Sequence, residues 1–347
     1  MTVSRGSRVI DMALEPIEPR KAVELYLADR ETELTRATIT SHKYRLGHFI
    51  RWCDQEEITN LNTLTGRQLH EYRQWRRAEG DLSPSSEKTQ MDTLRVFIRW
   101  LETVDGVEQD LHTKVRSPTL SDEEKSRDVM LDKERADRAL EYLRKYKYAS
   151  RQHVVLTLLW HTMMRVGALH ALDVGDFNED EQYIEVCHRP ETGTSIKNAD
   201  RGERHIALSD EVCSVLVDWI TDRRPEVTDE HGRHPLVSSE QGRVHRTTLR
   251  RDCYRYTRPC VFTDECPHDR KIDDCDATDH DHPYECPSSV SPHAFRRGAL
   301  TNALNADVPE KVLSDRANLS ESVLDEFYDN RSQQERMEQR QKYLDKL

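Results

Sequence analysis

Residues 291–297 read Ser291-Pro292-His293-Ala294-Phe295-Arg296-Arg297. Serine followed by proline is a helix start. The hydroxyl accepts from an orphan N–H of the first turn, and proline sits at the first helical position, where its missing N–H costs nothing. From that start His293 and Arg296 lie three residues apart on one helix face. An imidazole and a guanidinium projecting together near a helix N-terminus suit a phosphate, because backbone N–H groups, helix dipole and guanidinium fork all favour the anion.

Outward from this stretch, three further features bear on the same chemistry. Upstream, an apolar helix is expected from about residue 152 to 172, bearing Val154, Val155, Leu156, Leu158, Leu159 and Trp160. It runs into His161-Thr162-Met163-Met164-Arg165-Val166-Gly167, which puts Arg165 among apolar neighbours. A buried guanidinium needs an anion, and two kinds are on offer: Asp173 or Asp176 in a structural ion pair, or a bound phosphate. Next come two short strands over 183–188 and 204–208, separated by the polar stretch 191–202. They predict a hairpin whose long tip carries Lys197, with Arg201 close behind. Downstream, Tyr328 stands in Leu324-Asp325-Glu326-Phe327-Tyr328-Asp329. A tyrosine at a helix end is by itself ordinary.

The first hundred residues carry helical periodicity only. Four amphipathic helices are expected over 21–31, 38–55, 65–80 and 85–102, with Thr65 as an N-cap and the loop around Pro84 between the last two. On the third, Arg73, Arg76 and Arg77 surround Trp75, a composition fit for straddling a phosphate backbone or simply for a solvated face. Periodicity stops near residue 114 in a run with Ser117, Pro118 and several acids, which marks a linker.

A chain of 347 residues exceeds one ordinary core, so two domains are expected. No run of about 18 apolar residues occurs and residues 1–14 lack the pattern of a secretory signal. A cytoplasmic protein is therefore expected. The formal net charge of -12 argues at first against nucleic acid, yet the segment 264–285 holds nine acids against Arg270 and Lys271, so the rest is nearly balanced.

Arg165 after a buried helix, a lysine on a hairpin tip, His293-x-x-Arg296 opening a helix and Tyr328 in that order resemble the tyrosine recombinase family of phage integrases and Xer-like proteins. The resemblance implies a mostly α fold with a small β-hairpin or sheet, made of a helical core-binding domain and an α+β catalytic domain. Its boundaries would be a tail over 1–18, the core-binding domain over 19–115, a linker over 116–128 and the catalytic domain over 129–347. It implies a site-specific enzyme that cleaves and rejoins double-stranded DNA through a 3'-phosphotyrosyl bond. Arg165 and Arg296 would clamp the phosphate, His293 would act as acid or base, Lys197 would protonate the leaving oxygen, and Tyr328 would attack. Neither metal nor nucleotide is needed for that chemistry. A homotetramer on DNA is implied, with the charged segment 333–347 docking on a neighbouring subunit. Two positions depart from the family: Ala168 where an acid is common, and Leu319 where a second histidine is common, with Arg316 or Asn318 as substitutes.

Five of the eight cysteines fall within 253–286. Cys260, Cys266, Cys275 and Cys286, in a cysteine-rich insert over about 258–290, suggest a structural zinc site, since four thiolates bind one zinc tetrahedrally. Two other functions fit parts of the sequence: a recombinase-derived DNA-binding protein without catalysis, and a metal-dependent regulator centred on the insert.

Overall fold

The computed structural model describes residues 14–121, 130–327, 337 and 341. The chain divides into two compact units, Met1–Asp128 and Val129–Leu347. No described helix is long and apolar enough to cross a membrane.

The first unit is built from helices α1 (Pro19–Arg30), α2 (Arg36–Gln55), α3 (Gly66–Gly80) and α4 (Pro84–Thr103). Hydroxyl caps start three of them. Thr35 accepts from Thr38 N–H, Ser83 accepts from Ser86 N–H, and Thr65 forms a reciprocal capping box with Gln68. In α4 the buried Leu94, Phe97, Ile98 and Leu101 recur at helical spacing. Aromatic rings fill the core: the ring pairs Tyr26–Phe97 and Phe49–Tyr72 meet edge to face at 5.3 Å, and Trp52–Tyr72 at 5.4 Å.

The second unit wraps helices around α6 (Arg151–Thr162), which is apolar on nearly every side and buried. α5 (Lys133–Tyr146), α8 (Asp210–Asp218), α9 (Arg246–Tyr256) and α11 (Pro292–Asn305) pack on it. A three-stranded antiparallel sheet follows the short α7 (Val166–Ala171): β1 (Phe177–Asn178), β2 (Tyr183–Val186) and β3 (Arg204–Ala207), with Ile184 opposite Ile206. β4 (Ser238–Ser239) and β5 (Gly242–Arg243) pair separately. The turn α10 (Cys260–Thr263) opens the insert, and α12 (Glu310–Ala317) and α13 (Glu321–Phe327) end the described fold. The class is mostly α with small antiparallel sheets, as the periodicity predicts.

One expectation is corrected. The apolar helix expected over 152–172 is two helices, because Met163 takes a left-handed backbone, φ 55°, and Arg165 becomes the extended N-cap of α7. The break frees the Met163 carbonyl, which accepts from Arg296 Nη1 at 2.5 Å. A continuous helix would have kept that carbonyl for its own ladder.

Candidate active site

Three consecutive carbonyls at the C-terminal end of α12 each accept from a different arginine. Arg204 Nε donates to the Arg316 carbonyl at 2.9 Å, Arg296 Nη2 to that of Ala317 at 2.8 Å, and Arg165 Nη1 to that of Asn318 at 2.9 Å. The last carbonyls of a helix lack intrahelical partners and form the negative end of its dipole. They therefore help to orient the three guanidiniums. The competing carboxylates are engaged elsewhere: Asp173 by Arg233 at 2.6 Å and by Arg243, and Asp176 by Arg189 at 2.5 Å. The structural ion pair that the sequence allowed for Arg165 is thus not formed with either.

Arg296 is 1% exposed. Arg165 is half-buried at the mouth of the same site. Arg204 and Arg316 add charge that the sequence reading missed or left open. Burial, then the charges of Arg165 and Arg316, push the Arg204 pKa down to about 10. Burial also lowers that of Arg316, which donates to the His161 carbonyl at 2.8 Å and the Ala207 carbonyl at 2.9 Å. Among the described residues neither Arg204 nor Arg316 has a carboxylate partner. The signal for Arg204 was its register: it lies two residues before buried Ile206 in β3, hence on the inward face.

Ser291 caps α11 by accepting from Ala294 N–H, with Pro292 in the first turn. His293 follows at an exposed position of that first turn. The protein crowding its ring, then the charges of Arg296, Arg297 and Arg165, lower its pKa. Lys197 lies on the exposed β2–β3 connection, and its ammonium has no hydrogen-bond or ion-pair partner among the described residues. Its carbonyl accepts from Asn318 Nδ2 at 3.2 Å. Arg165, Lys197, Arg204, Arg296 and Arg316 are all linked through the end of α12. Tyr328 and the segment 333–336 lie outside the described residues, as do most of the positions that follow.

The two family departures have structural consequences. Ala168 is buried in the core of the second unit, 6% exposed. Leu319 packs on a separate apolar cluster of Leu300, Leu304, Leu313 and Leu324, so it offers the site no polar group.

In the first unit, the three arginines proposed for DNA also make contacts within the fold. Arg73 Nε and Arg77 Nη2 both reach Glu87 Oε1, at 2.5 and 2.9 Å, and Arg76 is buried, 5% exposed, against His48. Arg77 stays exposed, while Arg73 and Arg76 are held within the fold. The pairing has a simple cause: Glu87, at the start of α4, is itself buried and needs the charge. A helix the sequence reading passed over is a better basic surface. From Arg36 to Cys53, α2 contains no acid, and it exposes Arg36, Lys43, Tyr44 and Arg51.

The family model for the phage integrase family matches residues 129–322, and that for the phage integrase N-terminal SAM-like domain matches residues 24–103. The chain belongs to the phage integrase family. The N-terminal domain of a phage integrase/site-specific recombinase from Haloarcula marismortui is 39% identical over 30% of this chain and 99% of that one, at TM-score 0.29. The Tn1549 transposon integrase in complex with a circular intermediate DNA is 15% identical over 94% and 99%, at TM-score 0.65. A lambda integrase dimer bound to a COC' core site is 12% identical over 92% and 79%, at TM-score 0.63. At such identities the last two share the fold. No curated protein matches.

Within this integrase-family fold the insert is held by hydrogen bonds. Arg135 donates to the carbonyls of Thr257, 3.1 Å, and Ser288, 2.5 Å; Val290 N–H donates to Thr257 Oγ1 at 2.9 Å; and Arg258 donates to the Ala277 carbonyl. All eight cysteines are free thiols. Among the described residues no three His, Cys, Asp or Glu side chains are grouped to hold a metal ion. The zinc site expected at Cys260, Cys266, Cys275 and Cys286 is therefore not supported: only Cys286 of the four is buried, and the loop is anchored by arginines donating to its carbonyls.

Proposed function

We propose that this chain is a site-specific recombinase that cleaves and rejoins double-stranded DNA through a 3'-phosphotyrosyl bond to Tyr328. The observation that carries the reading is the gathering of Arg165, Arg204 and Arg296 on the terminal carbonyls of one helix. Three guanidiniums gathered at one place offer preorganised positive charge, which is what a pentavalent phosphoryl transition state needs. Tyr328 Oη attacks phosphorus and its proton passes to His293. The bond to the 5'-oxygen breaks, and that oxygen takes a proton from Lys197. The bond energy is conserved in the phosphotyrosine, so no step calls for a metal or nucleotide. Exposed cations of α2 provide for backbone contact by the first unit. Exchange between two duplexes requires four cleavages, hence four subunits, joined through the segment 333–347.

A second reading is a DNA-binding protein of this family without chemistry. It is favoured by Leu319, which packs on the apolar cluster and offers no polar group of its own. The experiment is trapping on a nicked suicide duplex, where cleavage releases a short fragment and stalls the enzyme. Wild type gives an adduct that survives boiling in detergent, and Tyr328→Phe gives none while binding the duplex within a few-fold. No adduct with wild type favours the second reading.

A further inference from the structure

Asn318 is the point at which two parts of the site are tied. It ends α12 in the left-handed conformation, φ 53° and ψ 62°. Its backbone carbonyl accepts from Arg165 Nη1 at 2.9 Å. Its side chain turns the other way: Nδ2 donates to the Lys197 carbonyl at 3.2 Å, and Oδ1 accepts from Asn198 Nδ2 at 2.9 Å. The amide thus grips two consecutive residues of the β2–β3 connection, one as donor and one as acceptor. A carboxamide does this with two separate arms, a donor nitrogen and an acceptor oxygen.

The surroundings make the grip tight. A methyl group at Gly202 would lie 2.4 Å from the Lys197 carbonyl oxygen and 2.8 Å from Asn318 Nδ2. The connection is otherwise exposed at Lys197, Asn198, Ala199, Asp200 and Arg201 and carries no apolar anchor over those five positions. Without the amide, the Lys197 backbone would lose its link to the end of α12. Lysine has four rotatable side-chain bonds, so the position of its backbone decides how often the ammonium reaches a given point.

We propose that Asn318 is a positioning residue, whose side chain registers Lys197 against the same backbone that holds Arg165. The inference rests on the proposed function, in which Lys197 protonates the departing 5'-oxygen. In cleavage the Tyr328 Oη–P bond forms, the P–O5' bond breaks, and the electron pair left on O5' takes a proton from Lys197 Nζ. A misplaced lysine slows that step without weakening DNA binding.

Asn318→Gly is the informative variant. Glycine adopts the left-handed conformation more cheaply than asparagine, so the carbonyl bonded to Arg165 stays and only the amide is lost. Single-turnover cleavage is measured on two nicked suicide duplexes, one with the natural phosphodiester and one with sulfur in place of the bridging 5'-oxygen. A thiolate leaves without protonation, since thiols are far more acidic than alcohols. The expected result is a loss on the order of 10- to 100-fold on the phosphodiester, recovery to within about threefold of wild type on the sulfur substrate, and an unchanged half-site affinity. Equal losses on both substrates, or no loss on the phosphodiester, overturn the proposal. Lys197→Ala separates the two levels of argument. If it is not rescued by sulfur, Lys197 is not the acid and the underlying reading fails. If it is rescued and Asn318→Gly is not, the reading stands and the positioning role of Asn318 fails.

Discussion

Arg204 Nε donates to the backbone carbonyl of Arg316, 2.9 Å away, while both guanidiniums lie in protein with no carboxylate partner among the described residues. Two half-buried cations are costly, and the cost is visible in the downward shift of both pKa values. For Arg204, pushed down to about 10, it is roughly 3 kcal/mol at neutral pH. A fold retains such an arrangement when an anion completes it.

This gives the first prediction. Sulfate should raise the melting temperature of the protein more than chloride at equal ionic strength, through linkage to the folded state. In Arg204→Met, two bonds to carbonyls are lost and the desolvation cost is relieved, so stability without sulfate should stay within about 1 kcal/mol. Its specific response to sulfate should shrink. General salting effects act on both proteins alike, so an identical response in the variant would show that the arginines do not form an anion site.

The second prediction concerns Asp173. Arg233 holds it through Nε at 2.7 Å and also donates to Thr194 Oγ1 at 2.7 Å and to the Ala171 carbonyl at 3.1 Å, so one guanidinium joins the end of α7 to the chain leading to Lys197. Arg243 holds the same carboxylate and Asp229. Asp173→Ala leaves Arg233 without its carboxylate and should cost about 3–5 kcal/mol, as breaking a buried pair does. Hydrogen exchange should then accelerate in α7 and over 189–196. Unchanged exchange there would mean that the network is dispensable.

A third prediction follows from two histidines of the second unit. Burial holds His153 and His170 at pKa values of about 4. His153 Nδ1 accepts from the Ala149 N–H at 3.2 Å, which a proton on that nitrogen would break. The ordinary imidazole value is about 6.5. Between there and pH 4 the unfolded chain binds more protons than the folded one, so stability falls as the pH is lowered. With both groups titrating, the slope approaches roughly 2.7 kcal/mol per pH unit. His153→Asn, which keeps an acceptor for Ala149, should about halve it. Denaturation midpoints that stay constant from pH 7 to 4.5 would contradict the assignment.

Periodicity exposed the helices, and the capping residues Thr65 and Ser291 placed two helix starts, because those signals are local. His293 and Arg296 were legible for the same reason: one helical turn fixes their relation. The contacts of Arg204 and Asn318 were not. Their partners are 112 and 121 residues away in sequence, at the Arg316 and Lys197 carbonyls, and no side-chain pattern reveals which backbone carbonyls a helix end presents. For the α3 arginines, composition gave charge without pairing. Glu87 lies 14 residues beyond Arg73, across a turn, and takes the charge that seemed available.

That pairing yields the last prediction. Glu87 is 4% exposed, and burial alone would raise its pKa, yet hydrogen bonds and charge from Arg77 and Arg73 bring the net shift below the usual carboxylate value. A depressed carboxylate stabilises the fold above its unfolded pKa, and that contribution is lost as the pH falls through the folded value. Near neutral pH it is fully present. Glu87→Gln keeps the shape but leaves Arg73, whose side chain is 18% exposed, beside a neutral amide. Arg77 is 54% exposed and turns to water at little cost. The expected loss is therefore below that of a fully buried pair, about 2 kcal/mol. It should appear as faster hydrogen exchange in α3 and α4 at pH 7, and the difference from wild type should narrow towards pH 3. If Glu87→Gln instead matches wild type in exchange but weakens DNA binding, Arg73 and Arg77 contact the duplex and the salt bridge is incidental to the fold.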